Sequence, residues 1–166
     1  MRAQAASHDK QADPLLALEA AAEGLGWSCL RSAPEELLLS APMPSLDVQL
    51  GAQWLAGEEL VQITAMWDMR IPRERRAAAA ELVQLINTQL PLGHFELWPE
   101  DGTVMLRHAQ LAGPQGFGDD EQARRLLQRI TEACAQYHPA FQFVVWAGKP
   151  PREALRACLF ETMGEA

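Results

Sequence analysis

Four histidines and three cysteines are the side chains of this sequence best suited to nucleophilic or metal chemistry, and their spacing decides which could act together. His94 and His108 flank the turn residues Pro99-Glu100-Asp101-Gly102 in the stretch LGHFELWPEDGTVMLRH, so a hairpin could bring two imidazoles to one site. Cys134 and His138 are four residues apart, a spacing that puts thiol and imidazole on one helix face. That arrangement suits a reactive thiolate pair or two metal ligands. Asp47 and Asp68 would oppose each other if DVQLGAQWLA and LVQITAMWDM pair as a hairpin, which is the beginning of a cation site.

The elements that must position these groups argue against each. Pairing Trp98 with Thr103, Leu97 with Val104 and Phe95 with Leu106 sets apolar against apolar throughout, and a shift of one residue breaks the match. His94 then lies beside Arg107 on a polar face with Glu96, whereas His108 sits on the apolar face opposite Gly93. The two rings point to opposite sides and cannot share a metal. Cys134 continues the helical stripe Ala123, Leu126, Leu127, Ile130, Tyr137, which reads as a small buried hydrophobe, and His138 reads as a helix-end residue before Pro139. In the upstream hairpin a two-residue turn with Gly57 first makes Ala56 face Glu59. Trp54 then faces Val61, Ala52 faces Ile63, Leu50 faces Ala65 and Val48 faces Trp67. The other side pairs Gln53 with Gln62, Gly51 with Thr64 and Asp47 with Asp68, a polar face that Met66 interrupts. The two aspartates fall near the open end of the hairpin with no third oxygen ligand.

Phosphate motifs fail as well. Gly113, Gly116 and Gly118 run GxxGxG ahead of Asp119-Asp120-Glu121, which would repel a phosphate, and Gly148-Lys149 lacks the earlier glycine and the hydroxyl of a phosphate loop. Arg73, Arg75 and Arg76 stand where a helix dipole disfavours cations and read as an exposed surface turn without a role. No cofactor or metal is expected. The rival from another class is a small metal-binding protein or enzyme using His108, Cys134 or His138.

With 166 residues the chain fits one domain that buries about 70% of its unfolded surface. A net charge of -8 is the wrong sign for phosphate backbones or anionic lipid, so neither nucleic acid nor membrane is expected as a partner. The odd number of cysteines without CxxC spacing fits a reducing cytoplasm. Residues 1–13 read as a disordered tail and 14–166 as the single domain.

Along that domain, Asp13-Pro14 starts a helix with Leu15, Leu18, Ala22 and Leu25 on one face. Short strands follow around Cys29 to Ser32 and Glu36 to Ala41, then the first hairpin. A helix after Pro72 carries Ala78, Leu82, Leu85, Ile86 and Gln89 and ends before Pro91. After the second hairpin, Asp119 with Gln122 makes a capping box for a long helix. AFQFVVWAGK reads as that helix continuing beyond Pro139, although Phe-Gln-Phe-Val-Val also suits a strand. As a helix it is apolar all round, with Phe141, Val144, Val145 and Gly148 on one stripe and Phe143 and Trp146 pointing away. Those two aromatics are either buried beneath a last helix bearing Leu155, Cys158 and Leu159, or anchors of a subunit or partner interface.

LGHFELW, MLRHA, YHPAFQFVVWAGK and the terminal LFETMGEA resemble the YbjN family of small bacterial proteins, with Gly26-Trp27 and the W-x-D-x-R-I-P run from Trp67 agreeing in pattern. The resemblance covers about nine-tenths of the chain. It implies a fold similar to type III secretion chaperones, a twisted antiparallel sheet flanked by helices, and a role in regulating sensory transduction. It implies no catalytic residue. A helix after Pro150 is additional to the minimal chaperone order. The expectation is an antiparallel α+β domain, a non-catalytic regulatory or chaperone-like module that binds another polypeptide, as a homodimer. The polar sheet face, bearing Met66, Trp98 and Met105 among Gln53, Gln62, Thr64, Glu96 and Arg107, is expected to offer adaptable partner contact, and Phe143 and Trp146 a subunit or partner interface.

Overall fold

The computed structural model describes residues 13–112 and 119–164, the side chains of 161–164 excepted. The expected tail, apart from Asp13, and the Gly113, Gly116, Gly118 run lie outside the described residues. Six strands, β1 Ser28–Ala33, β2 Glu36–Pro42, β3 Asp47–Leu55, β4 Leu60–Arg70, β5 His94–Leu97 and β6 Thr103–Leu111, form one antiparallel sheet in the order β1-β2-β3-β4-β6-β5. Helices α1 Leu16–Gly24, α2 Arg76–Asn87, α3 Asp120–Val145 and α4 Pro151–Gly164 complete the α+β domain.

Alternation along the strands decides which face the helices cover. In β4 every second residue from Val61 to Met69 is buried, and Leu37, Leu39, Val48, Leu50, Ala52, Val104 and Leu106 join them on the same side. The central hairpin has the register that its apolar pattern demands, with Trp54 opposite Val61, Ala52 opposite Ile63 and Leu50 opposite Ala65. Its turn differs from expectation. Leu55 and Leu60 are the last strand pair, so Ala56 and Glu59 belong to a four-residue turn and do not face each other as strand residues. Glu58 N–H donates to the Leu55 carbonyl at 3.0 Å, and Glu59, with φ 51°, takes the left-handed conformation expected of Gly57. An extra two residues let the chain reverse through a right-handed turn and close on one left-handed residue, without requiring a positive φ at the glycine.

In the second hairpin His94 pairs with Arg107, Phe95 with Leu106, Glu96 with Met105 and Leu97 with Val104, the register expected. The turn is fixed by Gly102. Its φ is 79°, and a Cβ there would stand 2.3 Å from the Ile71 carbonyl oxygen, while its own carbonyl accepts from Ile71 N–H at 2.8 Å. Arg76, to which the sequence assigned no role, braces the same corner: its guanidinium donates to the Ile71 and Pro99 carbonyls at 3.3 and 2.8 Å. Across the outer edge of β5 lies Asn87 at the end of α2. Its amide accepts from Phe95 N–H at 2.8 Å and donates to the Phe95 carbonyl at 3.0 Å, doing for this strand what a neighbouring strand would do.

The helices pack on the apolar face. Asp13 begins α1 through a bond from Leu15 N–H at 3.0 Å and holds Arg31 of β1 at 2.9 Å, with Glu19 closing on the same guanidinium at 2.7 Å. A 3-10 turn over Arg73–Arg75 precedes α2, whose buried stripe is Ala79, Leu82 and Ile86; Ala78 and Leu85 are half-buried and Gln89 lies exposed beyond the helix. Leu82 and Ile86 are thus buried as expected, with Ala79 in the place expected of Ala78. Asp119 caps α3 with a 2.7 Å bond from Gln122 N–H. From there α3 runs for 26 residues and passes through Pro139 to Val145, so the segment is helix and not strand. His138 is therefore no helix-end residue: it sits inside α3, its ring 5.7 Å from the Trp67 ring at 76°. Phe95, Phe141 and Tyr137 complete that aromatic cluster.

Candidate functional site

The groups best suited to catalysis are not assembled for it. Cys134 is fully buried, and burial pushes its thiol up to about 12, so at neutral pH it is protonated and a poor nucleophile. His138 and His108 are half-buried, and loss of hydration lowers the pKa of both, favouring neutral rings. Among the described residues no three His, Cys, Asp or Glu side chains are placed to hold a metal ion. His94 lies on the side of the sheet opposite to His108 and bonds Glu96 at 2.9 Å; Glu96 also takes Arg107 at 3.0 Å, a small ion network on the surface. Asp47 and Asp68 are both exposed, at the far end of β3 and β4.

What the fold leaves accessible is the second face of the sheet. None of the described helices packs on it, because the side chains that alternate with the core residues point this way. Six of them form a row across all strands: Leu30, Leu38, Gly51, Thr64, Arg107 and His94. Gly51 interrupts the row and leaves a shallow hollow of about 410 Å³ floored by the β2–β4 backbone and walled by Leu38, Gln49, Gln62, Thr64 and Met66. A Cβ at Gly51 would touch nothing closer than Leu38 Cδ2 at 3.9 Å, so the hollow is unfilled space and not a close approach of backbone. Met66 and Met105 are cross-strand partners beside it, the first half-buried and the second buried. Trp98 (41% exposed), Leu38 (41%), Leu30 (63%) and, at the end of β6, Leu111 (75%) supply the larger apolar area.

The residues expected at an interface thus fall into two places. Met66, Met105 and Trp98 share the open sheet face, while Phe143 and Trp146 lie at the end of α3 on the helical side. Trp146 is 72% exposed; Phe143 is half-buried against the core with the Lys149 ammonium 4.8 Å above its ring. Sequence reasoning missed Leu30 and Leu38. In the run Leu37-Leu38-Leu39 apolar type does not reveal which leucine faces out; pairing with β3 settles it, setting Leu37 and Leu39 opposite the core residues Ala52 and Leu50 and Leu38 opposite Gly51. Gly51 was placed on the correct face, but the hollow that it makes depends on Leu38.

No helix among the described residues is long and apolar enough to cross a membrane. None of the curated proteins matches this chain. Among solved structures, the "Crystal structure of YbjN, a putative transcription regulator from E. coli" aligns with a TM-score of 0.50 at 14% identity, covering 71% of this chain and 83% of that one. At that identity the likeness speaks for the fold alone, and it agrees with the sheet and helices described above. A family model described as YbjN, "Putative bacterial sensory transduction regulator", matches residues 14–143, from the start of α1 almost to the end of α3. With most of its length under that match, the chain belongs to the YbjN family.

Proposed function

We propose that this protein is a non-catalytic regulatory module that holds a segment of another polypeptide on its open sheet face, chaperone-like in binding without reaction, and that it works in the cytoplasm as a homodimer. The observation that carries the reading is the face that no described element covers: flexible methionines and exposed leucines around a hollow, with polar glutamines and threonine between them. Such a mixture adapts to a partner better than a rigid apolar patch would. The buried, protonated Cys134 and the family's description as a regulator support binding over catalysis. Exposed Trp146 at the end of α3 supports a second contact, between subunits.

Gly51→Trp tests the face directly. A Cβ at Gly51 has no positive φ to accommodate and meets nothing closer than Leu38 Cδ2 at 3.9 Å, and the indole beyond it would enter the hollow on the solvent side of the sheet, so the variant should fold. Wild-type and variant proteins are immobilised side by side and exposed to lysate from the organism of origin, with quantitative mass spectrometry of what each retains. A polypeptide held by the wild type and by Gln84→Ala, an exposed position on α2, but lost from Gly51→Trp is the expected result. Equal retention by all three would defeat the assignment of the face.

A further inference from the structure

The charge around the open face specifies what kind of segment would lie on it. One end of β2, β3 and β4 carries Glu35 and Glu36 at the β1–β2 turn and Glu58 and Glu59 in the β3–β4 turn, all exposed; the Glu35 carbonyl accepts from Trp54 N–H at 2.9 Å, which ties the first of these turns to the end of β3. At the other end stand Asp47 and Asp68. None of these six carboxylates forms an ion pair among the described residues. The cations nearby are few. Arg31 is taken up by Asp13 and Glu19 and donates to the Pro34 carbonyl at 3.0 Å. Arg70 leans toward Asp101 at 3.9 Å, which offsets part of the charge at the aspartate end. Between the two acidic ends the β2–β4 part of the face is uncharged, consisting of Leu38, Gln49, Gly51, Gln62, Thr64 and Met66, and Arg107, opposite Thr64 on β6, is taken up by Glu96 at 3.0 Å.

The backbone imposes a second condition. Strands β2, β3 and β4 are interior to the sheet, so their N–H and carbonyl groups are already paired with one another. A segment docking on this face meets only side chains and must satisfy its own backbone hydrogen bonds, which an α-helix does and an extended chain does not. From Asp47 to Gln53, the partner of Glu36, is six residue steps of β3, about 20 Å at ~3.3 Å per residue. A helix of roughly 13 residues at ~1.5 Å per residue covers that span.

We infer that the occupant of the open face is an amphipathic helix of a partner polypeptide, about three to four turns long, with an apolar stripe over the Gly51 hollow and Lys or Arg in its first and last turns against the two carboxylate ends. This rests on the reading of the face as the binding surface and adds the chemistry of what binds. Nucleic acid is repelled by the same carboxylates, and a second copy of this acidic chain would set like charges against each other.

The test uses two fluorescein-labelled helix-forming peptides of about 18 residues, identical in a Leu/Met stripe but carrying two arginines or two glutamates in each terminal turn. Binding to the purified full chain is read by fluorescence anisotropy. The arginine peptide should bind saturably, roughly tenfold more weakly to the Glu36→Lys/Asp47→Lys double variant, and more weakly again in about 300 mM than in about 50 mM salt, as screened exposed pairs require. Gly51→Trp, shown by circular dichroism to be folded, should weaken it by about tenfold or more. Equal affinity for the glutamate peptide would overturn the charge assignment, as would no binding of the arginine peptide or binding indifferent to Gly51→Trp. If these outcomes came with a native partner that still depends on Gly51, the open face would stand as the binding surface and the cationic helix alone would fall.

Discussion

Asn87→Ala isolates one device of the fold, the closure of the β5 edge. In the wild type a single side-chain amide satisfies both backbone groups of Phe95, at 2.8 and 3.0 Å, from a half-buried position. A net contribution of about 1 kcal/mol for each bond makes the loss about 2 kcal/mol. Phe95 itself is buried and packs on Trp67, Tyr137 and Phe141, so the strand cannot shift to find new partners without opening that cluster. For a chain of this length each kcal/mol lowers Tm by roughly 2–4 °C, so the variant should melt about 4–8 °C below wild type. Thermal unfolding followed by circular dichroism gives the value, with Gln84→Ala as the exposed control expected within about 0.5 kcal/mol of wild type. A second readout is amide exchange at Phe95, which should accelerate. An Asn87→Ala protein that melts within about 1 °C of wild type, with Phe95 exchange unchanged, would refute the claim that the amide replaces a neighbouring strand.

In native protein at neutral pH a thiol reagent should modify Cys29 first and leave Cys134 and Cys158 untouched, because Cys29 is half-exposed at the sheet edge while the other two are buried; prompt titration of more than one thiol per chain, or persistence of the fast phase in Cys29→Ser, would contradict the packing of α3 and α4. Burial lowers the pKa of His108 and His138 in the folded state, so the unfolded chain binds protons more tightly and stability should be full above about pH 6.5 and fall as pH drops through that value toward the folded pKa. Urea unfolding at pH 7.5 and 5.5 measures this, and His138→Gln should flatten the difference; a wild type more stable at pH 5.5 than at 7.5 would show the sign to be wrong. Trp146→Asp should remain folded and change a dimer to a monomer in light scattering if Trp146 joins subunits, and a monomeric wild type would remove that role.

Much of this fold could be read from pattern because its strands are half-buried. Alternation fixes the faces of β3, β4, β5 and β6, and matching Phe95 and Leu97 to Leu106 and Val104 fixes a register, from which the separation of His94 and His108 follows. The capping aspartate of α3 and its stripe from Ala123 to Tyr137 were equally legible, since a helix repeats one rule over many turns. What escaped depends on contacts between distant segments. Arg76 looks like a poorly placed cation in its own helix, and its partners are carbonyls of Ile71 and Pro99 that only the folded corner brings near. Asn87 ends a helix like any polar residue until β5 lies beside it. His138 precedes a proline that local rules treat as a boundary; packing of Ala140, Phe141 and Val144 carries α3 through it despite the lost N–H bond. Of the candidate site, Met66, Met105 and Trp98 were visible by parity, whereas the hollow at Gly51 required the β2–β3 register.

An uncovered sheet face with exposed leucines invites association edge to edge, and the way this chain limits that association bears on what the face is for. The β5 edge is occupied by Asn87. The β1 edge is short, carries a register irregularity between Arg31 and Ala33, and has the Arg31 side chain drawn toward α1 by Asp13 and Glu19. A bulge twists an edge away from the flat geometry that another strand needs, and a charged residue beside it adds a desolvation cost. Both edges therefore disfavour strand addition, at one end by hydrogen-bond capture and at the other by shape and charge. Between them the large apolar groups of the open face are Leu30, Leu38, Met66, Met105 and Trp98, with Leu55, Leu60 and the exposed Leu111 toward the β3–β4 turn, and Gln49, Gln53, Gln62 and Thr64 among them keep the apolar area broken. On the proposed reading, the exposed leucines offer a partner apolar contact and the intervening amides keep the face compatible with water when it is free. If the face binds a partner as proposed, these edges leave open recognition through side chains alone, by a partner that brings its own secondary structure.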